Sequence, residues 1–372
     1  KFKESIVIRF NGGQQAGHSV LTKDGKKHVY SNFGSGTDID TPTFWSKYCC
    51  FSPELFLKEL SKIYNPPSFL IDKNCHVTTH YDILFNRAEE ISLKENRIGT
   101  TGSGYRSTVE RSPKIPLIFS DLQNKKVLQE KLKTIRNYYR LKINKETDFN
   151  FENFQHDEED IRFYKYCEKI KNLIEDKKVV PTDEAYIFNR SRTWSYYIFE
   201  GAQGILLDQK FGSKPFITKS NTTSRNAFEM LSKNKLLIET QVIYVTRAYQ
   251  TRHGIGPFPN KHEQFSLINN RDETNQFNTY QGEFKANFLN IDSINYALDC
   301  DQEFSKNSKK SLVMTCLDHF DSKEDVRFFE NDKLVLDSYE NLIKRMNVNF
   351  KDIFYSFSPD DKLQKVTKHN KP

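Results

Sequence analysis

The first apolar run, Ile6-Val7-Ile8 with Arg9-Phe10 behind it, is short and β-branched and shows no alternation. That is the pattern of a strand buried on both faces. It runs directly into Asn11–Val20, a glycine-rich stretch that reads as a loop. Ser52-Pro53 predicts a helix start, with the serine as N-cap and the proline in the first turn. Phe56, Leu57, Leu60, Ile63 and Tyr64 recur behind it at helical spacing, and Pro66-Pro67 closes the helix. Between 124 and 177, lysine and glutamate surround spaced apolar positions (Val127, Leu128, Leu132, Ile135, Tyr138, Tyr139). This predicts amphipathic helices on the outside of the molecule, with a solvated charged face. Strand patterns return at Ser195–Phe199 and Val242–Val245, each followed by a glycine turn. The tail beyond 322 is charged and reads as helical before fading into Lys, Asn and Pro. Strands that alternate with helices and end in glycine loops predict an α/β fold. It would have a large, mostly parallel central sheet flanked by helices, with ligands at the carboxyl ends of its strands.

Composition narrows this. Thirty Phe, 18 Tyr and 2 Trp in 372 residues exclude a disordered chain. No run of 18 uncharged apolar residues is present, so no membrane-spanning helix is expected. Lys1-Phe2-Lys3-Glu4-Ser5 lacks an apolar signal core, and the six cysteines show neither CxxC nor zinc-ligand spacing. Reduced thiols in the cytoplasm are the expectation. The net charge of +7 suits anionic small ligands such as nucleotides. Because the basic residues are dispersed rather than clustered with aromatics, nucleic acid is not an expected partner.

Five loops carry candidate chemistry. Gly12–Ser19 combines glycines with His18, a potential donor or general acid. Gly99-Thr100-Thr101-Gly102-Ser103-Gly104 offers hydroxyls and backbone N–H groups that suit a phosphate. Glu200-Gly201-Ala202-Gln203-Gly204 carries an amide able to read a purine edge, and Ser220-Asn221-Thr222-Thr223 is a second hydroxyl cluster. The last loop is Arg252-His253-Gly254-Ile255-Gly256-Pro257-Phe258-Pro259.

In this order the loops resemble the adenylosuccinate synthetase family, which joins IMP to aspartate. GGQQAGHS stands for the family's GGNNAGHT, Ile98–Gly104 for IGTTGxG, Glu200–Asp208 for EGAQGTLLD, Lys219–Thr223 for SSNTT and Arg247–Pro259 for KAYxTRxGxGPFP. The resemblance spans most of residues 6–360. It implies a single domain over 1–372, related to the P-loop NTPases, with a helical insertion at about 124–177 and a base-binding part at about 310–362. It implies that the 6-oxygen of IMP attacks the γ-phosphate of GTP and that the aspartate amine then displaces the 6-phosphoryl group. On this mapping His18 and Gln203 are catalytic, and Gln15, Thr101, Arg111, Gln203, Thr222, Thr223, His253 and Lys285 bind substrate. Gly17, Ser19, Thr315, Asp318, Ser356 and Ser358 meet the nucleotide cosubstrate, and Gly17 meets Mg²⁺. Tyr105–Arg111 resembles the family's YEDKVAR, which implies that Arg111 reaches the monophosphate of a neighbouring subunit in a homodimer.

The sequence also departs from the family pattern. The family's WGDEGKGK loop falls ahead of Lys1, and its IGPx has no counterpart between Gly104 and Tyr105. The arginine-rich TTGRxRRxGWxD loop corresponds to Thr279–Asn290, where Lys285 is the one cation and Glu283 opposes it. TKLD becomes Thr315-Cys316-Leu317-Asp318, and STGPDR becomes Ser356-Phe357-Ser358-Pro359-Asp360-Asp361. The cosubstrate is therefore GTP or ATP. The open readings are a ligase of this family acting on IMP or a deoxy or guanine analogue, a specialised relative that uses dGMP and ATP, and a nucleotide-binding sensor without catalysis.

Overall fold

The run Ser5–Arg9 is buried at every position and sits inside a parallel sheet of five strands. Across the sheet the order is Val179–Thr182, Phe69–Asp72, Thr43–Trp45, Ser5–Arg9 and Tyr196–Glu200. This is a computed structural model that describes residues 4–22, 24–189, 194–258, 265–268, 277–321, 325–358 and 364–365. The α/β expectation holds, with a parallel central sheet flanked by helices.

Ser52 caps the helix Pro53–Leu60 by accepting from Leu55 N at 3.4 Å. The helix stops at Leu60 and leaves Tyr64 99% exposed, so the apolar spacing overran it. Helix His80–Ser92 starts with a capping box between Thr79 and Asp82. Helices Lys125–Glu146 and His156–Glu175 form where periodicity predicts them. They do more than cover the outside: Leu128, Leu132, Ile135, Tyr139, Ile143, Phe163 and Ile170 join Trp45, Phe69 and Ile71 of the sheet in one core. On the other face, Ile6, Ile8 and Phe44 pack with Ala227, Met230 and Leu231 of helix Arg225–Lys233.

Two further sheets follow. In one, Gln241–Arg247, Lys309–Thr315 and Asp352–Tyr355 run parallel, and Gln364–Lys365 adds an antiparallel edge. In the other, the order is Tyr249–His253, Phe284–Asn290, Asp325–Glu330 and Lys333–Ser338. From Asp325 the tail is therefore strand rather than helix. Asn331 and Asp332 hold φ of +49° and +59°, the left-handed pair that a tight hairpin turn needs, and Val326 and Phe328 point into the core. Among the described residues of that region, only Tyr339–Lys344 is helical. No helix among the described residues is long and apolar enough to cross a membrane. All six cysteines are free thiols.

Candidate functional site

The register pairs Arg9 with Glu200 at the carboxyl ends of adjacent parallel strands, so the loops after 10 and 200 leave the sheet side by side. Asn11 locks them together. Its Nδ2 donates to the Ala202 carbonyl and its Oδ1 accepts from Ala202 N, both at 2.8 Å. Gly12 N donates to Ser220 Oγ at 3.1 Å, which brings in the 220–223 segment. That segment is shaped by buried Asp208, which accepts from Thr222 N at 2.6 Å and Lys210 N at 2.8 Å. Thr222 and Thr223 are both buried.

The junction holds unsatisfied amides. Both amide atoms of Gln14 and of Gln15, and Oε1 of Gln203, are buried without a hydrogen-bond partner. A Cβ placed on Gly12 would lie 3.6 Å from Gln15 Nε2 and 3.8 Å from Gln203 Oε1, so these two amides flank one small residue. Gln203 holds a φ of +67°, a strained backbone state for a residue with a side chain. Each buried polar group left unpaired costs roughly 1–3 kcal/mol. A polar ligand that pairs with them recovers that cost.

His18 opens the strand His18–Leu21 and bonds through Nδ1 to Glu200 Oε1. Ser35 N at 2.9 Å and Ser35 Oγ at 2.7 Å also donate to this carboxylate, and Arg9 Nη1 lies 3.6 Å away. Burial works to raise the Glu200 pKa, but the His18 hydrogen bond and the charges of His18 and Arg9 outweigh it and hold the carboxyl at about 2. The guanidinium of Arg9 is fully buried, with Nε and Nη2 unpaired. Gly17 and Ser19 are exposed beside His18. Among the described residues no group of three or more His, Cys, Asp or Glu side chains is gathered to hold a metal ion. Gly17 brings no side-chain donor, so what it could offer a Mg²⁺ ion is its backbone carbonyl oxygen, beside the phosphates of a bound nucleotide.

The Gly99–Gly104 loop is pinned from helix 80–92. Buried Glu90 accepts from Gly99 N at 3.1 Å and Thr100 N at 2.8 Å, and Asn86 bonds Thr100 Oγ1 at 2.7 Å and Gly104 N at 3.1 Å. Thr101 Oγ1 and Ser103 Oγ are 2.8 Å apart. At Gly254, φ is +74°, and a Cβ would stand 2.6 Å from the Gln281 carbonyl oxygen and 3.6 Å from Gly99 Cα. Only glycine allows that approach, which joins the 99–104, 253–256 and 279–283 segments by backbone contact. His253 packs on Phe284, with ring centroids 5.1 Å apart. Lys285 lies not in a loop but in the strand Phe284–Asn290, opposite Arg252.

The residues expected to meet the base of the cosubstrate also converge. Leu317 N donates to the Ser356 carbonyl at 3.2 Å, which ties Thr315–Asp318 to Ser356–Ser358, and Ser356 Oγ donates to the Ser358 carbonyl at 2.9 Å. Asp360 and Asp361 lie outside the described residues.

Arg111 requires a correction. Its side chain is fully buried and turned inward against Asp82 at 2.9 Å, with further bonds to the Val77 carbonyl at 2.8 Å and the Ile115 carbonyl at 2.5 Å. A guanidinium consumed inside its own subunit does not reach a phosphate in another. The motif fixed the position of this arginine but not its direction. Sequence reasoning also gave no role to Arg9, Glu90 or Glu200. The one signal for them was charge within otherwise apolar or glycine-flanked segments.

The chain matches the family model described as adenylosuccinate synthetase over residues 2–369. It is 29% identical to the adenylosuccinate synthetase of Clostridium acetobutylicum over 68% of this chain and 59% of that protein. It is 31% identical to that of Lactobacillus acidophilus, over 68% of this chain and 58% of that protein. The chain thus spans about six-tenths of the length of these curated relatives. In fold it is similar to the fully ligated adenylosuccinate synthetase from Plasmodium falciparum, with TM-score 0.71, 19% identity, and 96% of this chain and 92% of that one covered. It is also similar to the cyanophage S-2L succinoaminodeoxyadenylate synthetase bound to dGMP and to dATP as an energy donor. There the TM-score is 0.56, the identity 12% and the coverage 95% of this chain and 85% of that one.

Proposed function

Because the chain belongs to the adenylosuccinate synthetase family, we propose that it is a carbon–nitrogen ligase joining a purine nucleoside monophosphate to L-aspartate, driven by GTP or ATP. The observation that carries this is the set of unpaired buried amides at Gln15 and Gln203, flanking Gly12 where the 11–17, 201–204 and 220–223 loops meet. A purine monophosphate supplies the acceptors and donors that such amides lack. Thr101, Thr222 and Thr223 offer hydroxyls to its phosphate. The purine 6-oxygen attacks the γ-phosphorus and the nucleoside diphosphate leaves. The amino group of aspartate then attacks C6, and phosphate leaves with the 6-oxygen. Glu200 fixes the His18 ring through Nδ1, so Nε2 is the nitrogen left to meet the transferring phosphoryl oxygen, as a donor to developing charge. Thr315, Asp318, Ser356 and Ser358 take the base of the cosubstrate, and Gly17 and Ser19 flank its phosphates. A cytoplasmic location and a homodimer belong to the same family reading, and neither rests on Arg111.

A second reading is a specialised relative that uses dGMP and ATP. It is favoured by Cys316 and Ser358 at base-side positions and by the similarity to the phage enzyme. The test is calorimetric titration of IMP, dIMP, GMP and dGMP into the full-length protein, followed by turnover with aspartate and either GTP or ATP. Preference for dGMP with ATP selects the second reading. Monophosphate binding without turnover of any amine leaves a nucleotide-binding sensor. Failure to bind any of the four refutes the site.

A further inference from the structure

Arg111 is spent on Asp82, so the positive charge that a phosphate needs must come from elsewhere. The same short helix, Tyr105–Arg111, carries a second arginine, Arg106, at the position of the glutamate in YEDKVAR. Its side chain is 17% exposed. Nε and Nη1 are sealed from water and have no hydrogen-bond partner among the described residues. Glu110, one turn on, brings Oε1 to 3.2 Å from Nε, but out of line for a hydrogen bond.

Three cations share this one carboxylate. Glu110 Oε1 also lies 3.4 Å from Lys219 Nζ, and Oε2 lies 3.8 Å from Lys142 Nζ. Lys142 has Glu146 as well, at 3.7 Å, which leaves Arg106 and Lys219 as the pair that depends on Glu110. Glu89 faces the cluster from helix 80–92, but its Oε2 is buried without a partner, and burial raises its pKa against the pull of Arg106. Loose pairs of this kind hold charges near one another without satisfying the N–H groups.

The fold puts the pair where the ligand loops meet. Arg106 stands two residues after Gly104, the end of the hydroxyl loop pinned by Glu90 and Asn86, and Lys219 immediately precedes Ser220–Thr223. Tyr105 Oη donates to the Lys219 carbonyl at 3.3 Å and so joins the two segments. A Cβ on Gly13 would stand 3.0 Å from the Tyr105 ring, so the joint abuts the loop that carries Gln14 and Gln15.

We propose that Arg106 and Lys219 bind the phosphate of the nucleoside monophosphate held in their own subunit, and that Glu110 is a resident counter-ion which this phosphate displaces. A phosphate offers the guanidinium two parallel N–H···O bonds, which the off-line carboxylate does not, and the lysine adds a point charge beside it. The identity of the ligand rests on the ligase reading, whereas the phosphate contact does not depend on turnover.

The test titrates the whole protein by calorimetry with IMP and GMP, and with inosine and guanosine as phosphate-free controls, read by thermal shift where they bind weakly. Arg106→Gln and Lys219→Gln should each weaken monophosphate binding by about 10- to 100-fold, the value of one charged hydrogen bond, and leave the nucleosides within about twofold. Arg106→Lys should recover part of the loss. Glu110→Gln should tighten the monophosphates by about threefold or more, because a competing negative charge is gone. The assignment is overturned if wild type binds neither monophosphate more tightly than its nucleoside, or if either cation variant binds the monophosphates as wild type does. It is also overturned if nucleoside and monophosphate weaken together, or if Glu110→Gln weakens the monophosphates as Arg106→Gln does, the mark of a structural brace. Should Arg106→Gln fail to fold, Lys219→Gln and Glu110→Gln decide. Mixing Arg106→Gln with Gln15→Ala should restore no tight sites, since both residues serve one subunit; their return would place Arg106 across an interface. Turnover separates this from the ligase reading. Phosphate-dependent affinity that responds to these substitutions without turnover of any amine keeps the contact and sinks the ligase. Turnover with a monophosphate KM insensitive to them keeps the ligase and sinks the contact.

Discussion

Replacing Arg111 with methionine separates an internal brace from a residue that serves another subunit. In the structure, Arg111 and Asp82 are both fully buried, and the pair is tied into the Val77 and Ile115 carbonyls. Breaking a buried pair from one side costs about 3–5 kcal/mol, because the remaining charge has lost its partner. Asp82 would keep donors from Tyr139 Oη at 2.7 Å, Thr79 N at 2.7 Å and Thr79 Oγ1 at 2.7 Å, so the lower end of that range applies. With an unfolding entropy of about 2.1 cal/mol/K per residue, 372 residues give about 0.8 kcal/mol/K, and 3 kcal/mol corresponds to a Tm lower by about 4 °C if the chain unfolds as one unit. Differential scanning calorimetry, with monophosphate affinity measured below the transition, reads both quantities. The expected outcome is a lower Tm with affinity within about threefold of wild type. A variant with unchanged Tm that loses monophosphate binding, and regains it when mixed with a second binding-deficient variant, would refute the brace and restore a role across subunits.

His18→Asn should lower turnover by about 100-fold or more in a steady-state assay, while monophosphate binding measured by calorimetry changes little. Glu200 carries a pH signature. Its pKa is depressed in the fold, from 4.5 to about 2, so the stability it contributes is full above about 4.5 and is lost as pH falls towards 2, an amount of the order of 3 kcal/mol. Denaturation midpoints of wild type and Glu200→Gln should therefore converge through that window, and a gap independent of pH would show that the carboxylate is not held ionised. Gln203→Gly should relieve a strained φ of +67° and raise stability by roughly 1 kcal/mol while weakening monophosphate binding. Of the six free thiols, Cys316 is the one not buried, so a thiol reagent should label about one cysteine quickly in the native protein and all six after denaturation.

Much of the fold could be read from local chemistry. Ile6–Ile8 announces a strand buried on both faces because nothing in it alternates, and Ser52-Pro53 announces a capped helix because both residues act on the first turn alone. The glycine loops could be located for the same local reason. What stayed hidden depends on pairing between distant residues. The direction of Arg111 is decided by Asp82, 29 positions earlier, and neither sits in a periodic pattern with the other. The contact between His18 and Glu200 spans 182 positions and exists because two parallel strands end in register. Lys285 reads as a loop cation because Thr279–Asn290 corresponds to the family's arginine-rich loop. Here a strand starts at Phe284, and Arg252 stands opposite Lys285 only through the ladder. The 325–338 hairpin has legible signals, with Asp325, Val326, Arg327 and Phe328 alternating and Asn331-Asp332 at the turn, but the density of charge in the tail reads as a helical surface.

The backbone contact of Gly254 with Gly99 and with the Gln281 carbonyl has a thermodynamic corollary. With no side chains between them to yield, the phosphate-side loop, the turn after Arg252 and the 279–283 turn cannot be ordered one at a time. If the proposed monophosphate and amino acid each order these segments, whichever ligand arrives first meets the entropy of all three, and the next finds it already removed. Linkage makes the effect reciprocal: a monophosphate that tightens amino-acid binding by some factor must itself be bound tighter by that factor once the amino acid is in place. Widening the joint with Gly254→Ala would cut the two affinities loose from each other, even at sites the methyl group never touches.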